Sequence, residues 1–96
     1  MEFSPELRDK VSAGSVTVSF RLWQRPRVRV GGRYAVRDVQ IQVDAVDVMP
    51  FHAISTADVR RSGEVDREAL RKRAAHAGPI NNETVLYRVE FHVVPH

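Results

Sequence analysis

Two hydroxyl groups and a guanidinium alternate along a short stretch near the N-terminus. Thr17, Ser19 and Arg21 are separated by one residue each, with Val18 and Phe20 between them. Side chains at this spacing share one face of an extended strand, so the three polar groups are expected to lie side by side. Hydroxyls beside a guanidinium can hold an oxyanion, and a hydroxyl can act as a nucleophile when a base is near. An ordinary solvent-facing strand has the same pattern, so the spacing alone leaves both interpretations open.

An acidic residue, Glu64, lies between Gly63 and a predicted helix. It is a candidate general base, or it complements the positive end of the helix dipole. Ser19 and Glu64 are therefore the candidate catalytic residues. The sequence has no cysteine and no glycine-rich phosphate loop, so we expect no cofactor. The histidines have no spacing that converges on a metal ion, and no metal site is expected from these four residues: His52, His76, His92 and His96.

Basic residues are segregated along the chain. There are 15 basic and 12 acidic residues, a net charge of +3, and all but two of the bases are arginine. Six arginines and no acid fall between residues 21 and 37, and a second basic block spans residues 60–73. Arginine grips phosphate with two hydrogen bonds, and aromatic rings stack on bases. The candidate nucleic-acid-binding residues are Thr17, Arg21, Trp23, Arg25, Arg27 and Arg29, with Tyr34 and Phe51 as further stacking rings.

The charge pattern has a measurable consequence and an alternative explanation. If about five arginines neutralise phosphates, log K falls with log salt at a slope of roughly −3.5 to −4.5. The alternative is that arginine simply replaces lysine as the solubilising base.

Trp23 falls on the polar face of its strand, so it either covers a helix or lines a cleft. Glu90, between Arg88 and His92, is expected to form a cross-strand ion pair.

The elements that must position these residues follow from apolar periodicity. A helix is predicted over 5–13, strands over 16–23, 28–30, 34–36, 39–48 and 84–94, and a bulge at Ala45–Val46. Ser55 and Asp66 are predicted caps of two short helices, with Val65 packing on Leu70. Strands outnumber crossover helices, which favours a mostly antiparallel sheet. We therefore predict an α+β fold: a small closed or half-closed β-barrel of about five to six strands with two to three short flanking helices.

The overall composition is that of a small globular domain. The chain has 96 residues, of which 43% are hydrophobic and 28% charged, so a single domain over 1–96 is expected. Apolar runs are too short for a transmembrane helix, so we expect no membrane partner. The first residues lack the features of a signal peptide. With cysteine absent, a reducing cytoplasmic location is the simplest expectation. Composition leaves the oligomeric state open.

A stretch around the polar stripe resembles the signature of the ASCH domain family, Gly-x-Lys-x-x-Thr-x-Arg. Gly14 and Arg21 match it, Ser19 occupies the threonine position, and Val16 occupies the lysine position. Three further segments are similar to the family, so the resemblance runs over nearly the whole chain. These are Leu22-Trp23 leading into Arg-Pro-x-Val and Gly-Gly-x-Tyr, the turn Asp58-x-Arg60-x-x-Gly63, and the closing strand Tyr87-x-Val89-Glu90-Phe91.

The resemblance implies a PUA-like β-barrel with helices around a cleft. Family members are linked to RNA or other nucleic-acid binding, some are small amidohydrolases that act on acylated cytidine, and some are described as ribonucleases. In the amidohydrolases a lysine, a threonine and a glutamate form the catalytic set, which correspond here to Val16, Ser19 and Glu64. Valine cannot donate, accept or hold charge. Arg21 or Lys10 could replace the lysine only electrostatically, since arginine is no base at neutral pH.

Three hypotheses follow from the sequence. The first is a domain that binds RNA, a nucleotide or single-stranded nucleic acid in a basic cleft, where Glu64 accepts from a cytosine amino group. The second is a hydrolase, an N4-acetylcytidine amidohydrolase or a ribonuclease, with Ser19 as nucleophile and Glu64 as base. The third is a protein-interaction or small-ligand sensor module that has kept the fold and lost the chemistry. Enzymatic activity is left open by the replacement of the motif lysine.

Overall fold

A computed structural model describes residues 1–95; His96, considered above as a metal ligand, lies outside the described residues. Ordered along the chain, the elements are α1 (Pro5–Ser12), β1 (Val18–Arg21), β2 (Arg33–Val36), β3 (Val39–Pro50), α2 (Thr56–Arg61), α3 (Arg67–Ala74) and β4 (Val85–Val94). Single 3-10 turns follow β3 and α3, at Phe51–Ala53 and Ala75–Ala77. The three helices and the last strand lie where the sequence predicts them.

The starts of α2 and α3 are set by side-chain caps, whereas the Ser4 hydroxyl forms no such bond at the start of α1. The Ser55 hydroxyl accepts from the amide of Asp58 at 3.1 Å, and the Asp66 carboxylate accepts from the amide of Ala69 at 2.8 Å. Both bonds satisfy amides that the first helical turn leaves unpaired, as predicted. The predicted packing of Val65 on Leu70 is wrong, because Val65 is 85% exposed.

The strands form one antiparallel sheet in the order β1-β4-β3-β2, with β1 and β2 at its edges. The predicted α+β class and antiparallel pairing are confirmed, but the predicted closed or half-closed barrel of about five to six strands is not, because residues 1–95 contain four strands in one open sheet. The predicted strand over 28–30 is not formed, and these residues lie in the loop between β1 and β2. Two backbone hydrogen bonds instead fasten the loop to β3, from Gly31 to Val43 at 2.7 Å and from Val43 to Gly32 at 2.9 Å.

Each face of the sheet is covered by a different helical layer. α1 packs on one face, against Val89 and Phe91 of β4, and we name this the α1 layer. α2 and α3 pack on the other face, against Phe20 of β1 and Leu86 of β4, as the α3 layer. The register of β3 shifts by one residue between Val43 and Ala45, close to the predicted bulge. The shift lets β3 supply apolar side chains to the same face on both sides of the bulge.

The β1 strand is shorter than predicted, and this changes what its neighbours do. It begins at Val18, so Val16 does not share a face with Val18 and Phe20. Val16 packs instead in the α1 layer, where it is 2% exposed. No helix within residues 1–95 is both long and apolar enough to span a membrane.

Gly63, directly after α2, combines a left-handed backbone with close neighbours. Its φ is +87°, and a Cβ there would lie 2.8 Å from Leu7 Cδ2 and 2.9 Å from Val16 Cγ2. Gly14 has a similar φ of +83°, but a Cβ there would meet nothing within 4 Å. The pair therefore separates backbone strain from crowding.

We expect Gly63→Ala to lower the free energy of unfolding by about 2 to 4 kcal/mol, since left-handed strain and overpacking add. Gly14→Ala, with strain alone, is expected to cost about 1 kcal/mol. Urea unfolding followed by circular dichroism measures both. Equal losses in the two variants would contradict the close approach of α1 to Gly63.

Candidate functional site

A cleft of about 260 Å³ lies at the free edge of β1. One wall comes from the N-terminal segment and the start of α1, and the other comes from the end of α3 and the turn after it. Since β1 is an edge strand, side chains from both of its faces reach the cleft: Ser19 and Arg21 from one, Phe20 and Leu22 from the other. We call this site the β1 cleft.

Most of the polar residues singled out in the sequence meet in the β1 cleft. Ser19, Arg21, Trp23 and Glu64 all line it. Ser19 and Glu64 are among the few buried polar residues, at 9% and 6% exposure. The structure thus brings together both candidate catalytic residues and two of the candidate binding residues, although they come from β1, the loop after it and the loop before α3.

Arg21 is held in place by neutral groups. Its Nε donates to Ser19 Oγ at 2.8 Å, another guanidinium nitrogen donates to the carbonyl of Glu2, and the guanidinium carbon lies 4.9 Å from the ring centre of Phe3. Burial lowers the pKa of Arg21, and the nearby charge of Glu2 acts against this. Among residues 1–95, no carboxylate forms an ion pair with Arg21. A partly desolvated cation without an ion pair is a favourable place for an anionic ligand.

Glu64 is paired with a residue that the sequence did not single out. Arg73 Nε donates to both carboxylate oxygens of Glu64 at 2.9 Å, and Arg73 also donates to Ser4 Oγ at 2.7 Å and Glu6 Oε1 at 3.0 Å. The hydrogen bond to Glu64 raises the pKa of Arg73. Glu64 is therefore a buried, anchored carboxylate and not a free one at the start of a helix.

Two further cleft residues, Arg73 and His76, were missed because the second basic block was treated as one unit. They lie three positions apart at the end of α3 and in the turn after it, so they point to the same side. Both line the β1 cleft. The sequence signal that could have identified them is this spacing of three residues, which places both side chains on one side of a helix.

Thr17 lies outside the β1 cleft, which corrects the predicted stripe of three polar groups. β1 begins only at Val18, and Thr17 Oγ1 accepts from Arg61 Nε at 3.1 Å. The stripe is thus limited to Ser19 and Arg21. The motif position filled by Val16 is buried in the core, and Lys10 does not line the cleft, so neither brings a cation to it.

The predicted stacking rings have different surroundings. Phe51 is 1% exposed beneath the guanidinium of Arg71 at 4.3 Å, so it cannot stack on a base. Tyr34 packs against the α1 layer, and its hydroxyl accepts from the Arg29 amide at 3.2 Å. Trp23 lines the β1 cleft, with its ring 5.9 Å from that of Tyr87.

Arginines of the two basic blocks have different roles. Arg25, Arg27 and Arg29 are exposed on the loop after β1, outside the cleft, and none forms an ion pair within the described part of the chain. In the second block, Arg61 and Arg73 are both bound to carboxylates. Each block contributes one arginine to the β1 cleft: Arg21 comes from the first and Arg73 from the second.

A separate ionic network fastens α2 to β4. Arg88 Nε donates to Asp58 at 2.7 Å and its Nη1 lies 3.0 Å from Glu90, while Arg61 lies 3.2 Å from Glu90. Glu90 is therefore ion-paired with Arg88 on its own strand and with Arg61 on α2. The predicted ion pair across the sheet is not formed among residues 1–95. Hydrogen bonds from Arg88 lower the pKa of both Asp58 and Glu90.

Solved structures with the same arrangement of helices and strands identify the fold of this chain. The ASCH domain of Lactobacillus crispatus JV V101 superimposes with a TM-score of 0.74 at 20% sequence identity, covering 95% of this chain and 72% of that one. The chain has the ASCH fold. An Enterococcus faecalis V583 protein of the DUF984 family shares it, with a TM-score of 0.72 at 15% identity over 93% of this chain and 67% of that one.

The ASCH fold confirms the resemblance that the sequence motifs indicated, at the level of structure. No protein-family model and no curated protein matches the sequence. The similarity therefore lies in the arrangement of the elements, and the chemistry of the site has to be argued from its own residues.

Acid unfolding tests the network on β4. We expect Asp58→Asn to lower the free energy of unfolding at pH 7 by about 2 kcal/mol, because a carboxylate with a depressed pKa stabilises the folded state above its unfolded pKa. That contribution is lost as the pH falls through the lower pKa of the folded state, so the difference between wild type and variant shrinks below about pH 4.

Urea titrations at pH 7, 5 and 3 measure this convergence. Asp44→Asn is the control, because Asp44 is exposed and its carboxylate pairs with the ring of His92 and with no arginine or lysine among residues 1–95. A penalty for Asp58→Asn that is the same at all three pH values would contradict the assignment.

Proposed function

We propose that the chain binds a nucleotide or single-stranded RNA, with one base in the β1 cleft and phosphates on its arginines. The observation that carries this proposal is Arg21: it is partly buried, forms no ion pair among residues 1–95, and shares a cleft with Trp23 and a buried carboxylate. The resemblance to ASCH domains, a family linked to RNA binding, supports the same ligand class.

Each cleft residue has a role that fits such a ligand. Trp23 offers a ring for stacking, and Arg21 offers donors to a phosphate. Ser19 Oγ can hydrogen-bond to a ribose or a base, and Glu64 can accept from a cytosine amino group. The cleft volume of about 260 Å³ is near the lower limit of about 300 Å³ for small-molecule sites, which suits a single base.

The exposed loop adds charge outside the cleft. Arg25, Arg27 and Arg29 have no ion pair within residues 1–95, so they are free to neutralise phosphates. Thr17 is left out of the proposed site because it is bound to Arg61. The cytoplasmic location expected from the sequence stays a prediction.

Fluorescence anisotropy with a short labelled single-stranded RNA tests the proposal. In 50 mM salt we expect a dissociation constant in the low micromolar range. Arg21→Gln is expected to weaken binding about tenfold, which is the contribution of one hydrogen bond to a charged group. The slope of log K against log salt is expected to become about 0.7 less negative.

The matched control is Lys72→Gln, which removes the same charge from an exposed position of α3 outside the cleft. It is expected to leave affinity within about twofold, since non-contacting surface charges act only through the screened field. Absence of binding at low micromolar protein in 50 mM salt would overturn the proposal. Binding with no salt dependence would favour the sensor or protein-interaction hypothesis instead.

A second candidate function is hydrolysis, and one observation favours it: Ser19 and Glu64 line the same cleft. Against it, both Glu64 oxygens accept from Arg73, and the motif lysine is replaced by buried Val16. Incubation with N4-acetylcytidine and with RNA, followed by chromatography, decides the matter. Turnover abolished by both Ser19→Ala and Glu64→Gln would establish a hydrolase, and turnover that survives both would exclude these residues as its catalytic groups.

A further inference from the structure

An apolar strip, half-buried at Trp23 and Tyr87 and exposed at Val48 and Val85, continues from the β1 cleft across the sheet. Tyr87 on β4 pairs with Arg21 on one side and with Val48 of β3 on the other, so these three side chains share a face. Val85 lies two residues before Tyr87 on the same face. Val48 is 58% exposed and Val85 is 53% exposed, unlike the buried valines of the two layers. We name Trp23, Val48, Val85 and Tyr87 the Trp23–Tyr87 strip.

Trp23 connects the strip to the cleft. Its ring lies 5.9 Å from the ring of Tyr87, at an interplanar angle of 42°, and it also lines the β1 cleft. The two rings therefore offer neighbouring aromatic surfaces, one at the cleft and one beyond it. Tyr87 therefore lies next to the part of the cleft that Trp23 lines.

The charges around the strip indicate what covers it. Arg25 is two residues from Trp23, so its Cα is at most about 7 Å away. No acidic residue occurs from Arg21 to Arg37, and Arg25, Arg27 and Arg29 form no ion pair among residues 1–95. Two acids lie close to the strip in sequence: Asp47, which is on the opposite face 3.7 Å from Arg88, and Glu83, two residues before Val85, whose carboxylate is 3.9 Å from the ring of His52.

Aromatic and apolar surface beside unpaired arginines fits single-stranded nucleic acid best. Bases stack on the rings while the connecting phosphates neutralise the guanidinium groups. An apolar peptide would bury the valines but leave these cations unmatched.

We propose that the Trp23–Tyr87 strip is a second base site, so the chain recognises at least two successive nucleotides of a single strand. This inference rests on the function proposed above. It predicts a gain in affinity with ligand length that depends on the ring of Tyr87, whereas phosphates on the loop arginines alone would give a gain that does not.

Trp23 is the only tryptophan, so its fluorescence reports directly on the junction of the two sites. Titrations use cytidine monophosphate and single-stranded oligocytidylates of two, three and six nucleotides. We expect affinity to rise about tenfold or more from one to three nucleotides, the gain of one stacked base. Tyr87→Leu, which keeps an apolar side chain and removes the ring, is expected to erase most of that gain.

Val48→Ser and Val65→Ser form a matched pair of exposed valines, the first within the strip and the second in the loop before α3. The first is expected to weaken trinucleotide binding about two- to fivefold through lost apolar burial, and the second to leave it unchanged. Circular dichroism and urea unfolding verify that each variant is folded. Gel filtration of the free protein tests for self-association through the strip.

The outcomes separate the two proposals. Mononucleotide binding without a gain for longer strands, or a gain that survives in folded Tyr87→Leu, overturns the second base site and leaves the cleft intact. Failure to bind ligands of any length overturns the proposed function itself. Dimerisation abolished by Val48→Ser, without any effect on nucleic-acid binding, would assign the strip to a second copy of the chain and overturn this inference.

Discussion

The guanidinium of Arg73 links segments that are far apart in the sequence. It extends from α3 to Glu64 in the loop before that helix, and to Ser4 and Glu6 at the start of α1. α1 and α3 cover opposite faces of the sheet, so these bonds join the two layers around the free edge of β1. The Glu64 side chain is 4% exposed, and leaving such a charge unpaired costs about 3 to 5 kcal/mol. The β1 cleft depends on this pair for its shape.

Charge pairing also separates structural arginines from those available to a ligand. Arg61, Arg73 and Arg88 are bound to carboxylates, where removal of either partner would leave a partly buried charge. Arg21 is bound only to a hydroxyl, a carbonyl and a ring face. A net charge of +3 says little about this difference. Among the arginines without an ion pair in residues 1–95, Arg21, Arg25, Arg27 and Arg29 lie in β1 and the loop after it, and this is where the proposed ligand would lie.

The sequence predicts the elements well wherever a local signal exists. The caps Ser55 and Asp66, the alternation of β4 and the bulge in β3 are all local, and all lie at or within a residue or two of their predicted places. The prediction of a barrel was wrong because closure of a sheet depends on pairing between strands that are distant in the sequence. Residues 28–30 alternate like a strand, but the loop after Pro26 is anchored to β3 by only two backbone bonds.

The site was predictable in part for the same reason. Ser19 and Arg21 lie on one strand, so their spacing was enough to place them together. The family resemblance predicted that Glu64 joins them. The partner of Glu64, Arg73, was not predicted, because no sequence pattern shows which arginine in a run of basic residues forms a buried ion pair. Thr17 was misplaced because β1 begins two residues later than the alternation indicates.

The central claim, that the β1 cleft receives a nucleotide, is tested most directly by nuclear magnetic resonance. Cytidine monophosphate is titrated into ¹⁵N-labelled protein while the backbone amide signals are followed. The account predicts saturable shifts at residues 19–23, at Glu64 and at residues 73–77, with little change along residues 39–44 of β3, which lie away from the cleft. Shifts confined to β3, or no saturable shifts at millimolar ligand, would contradict it.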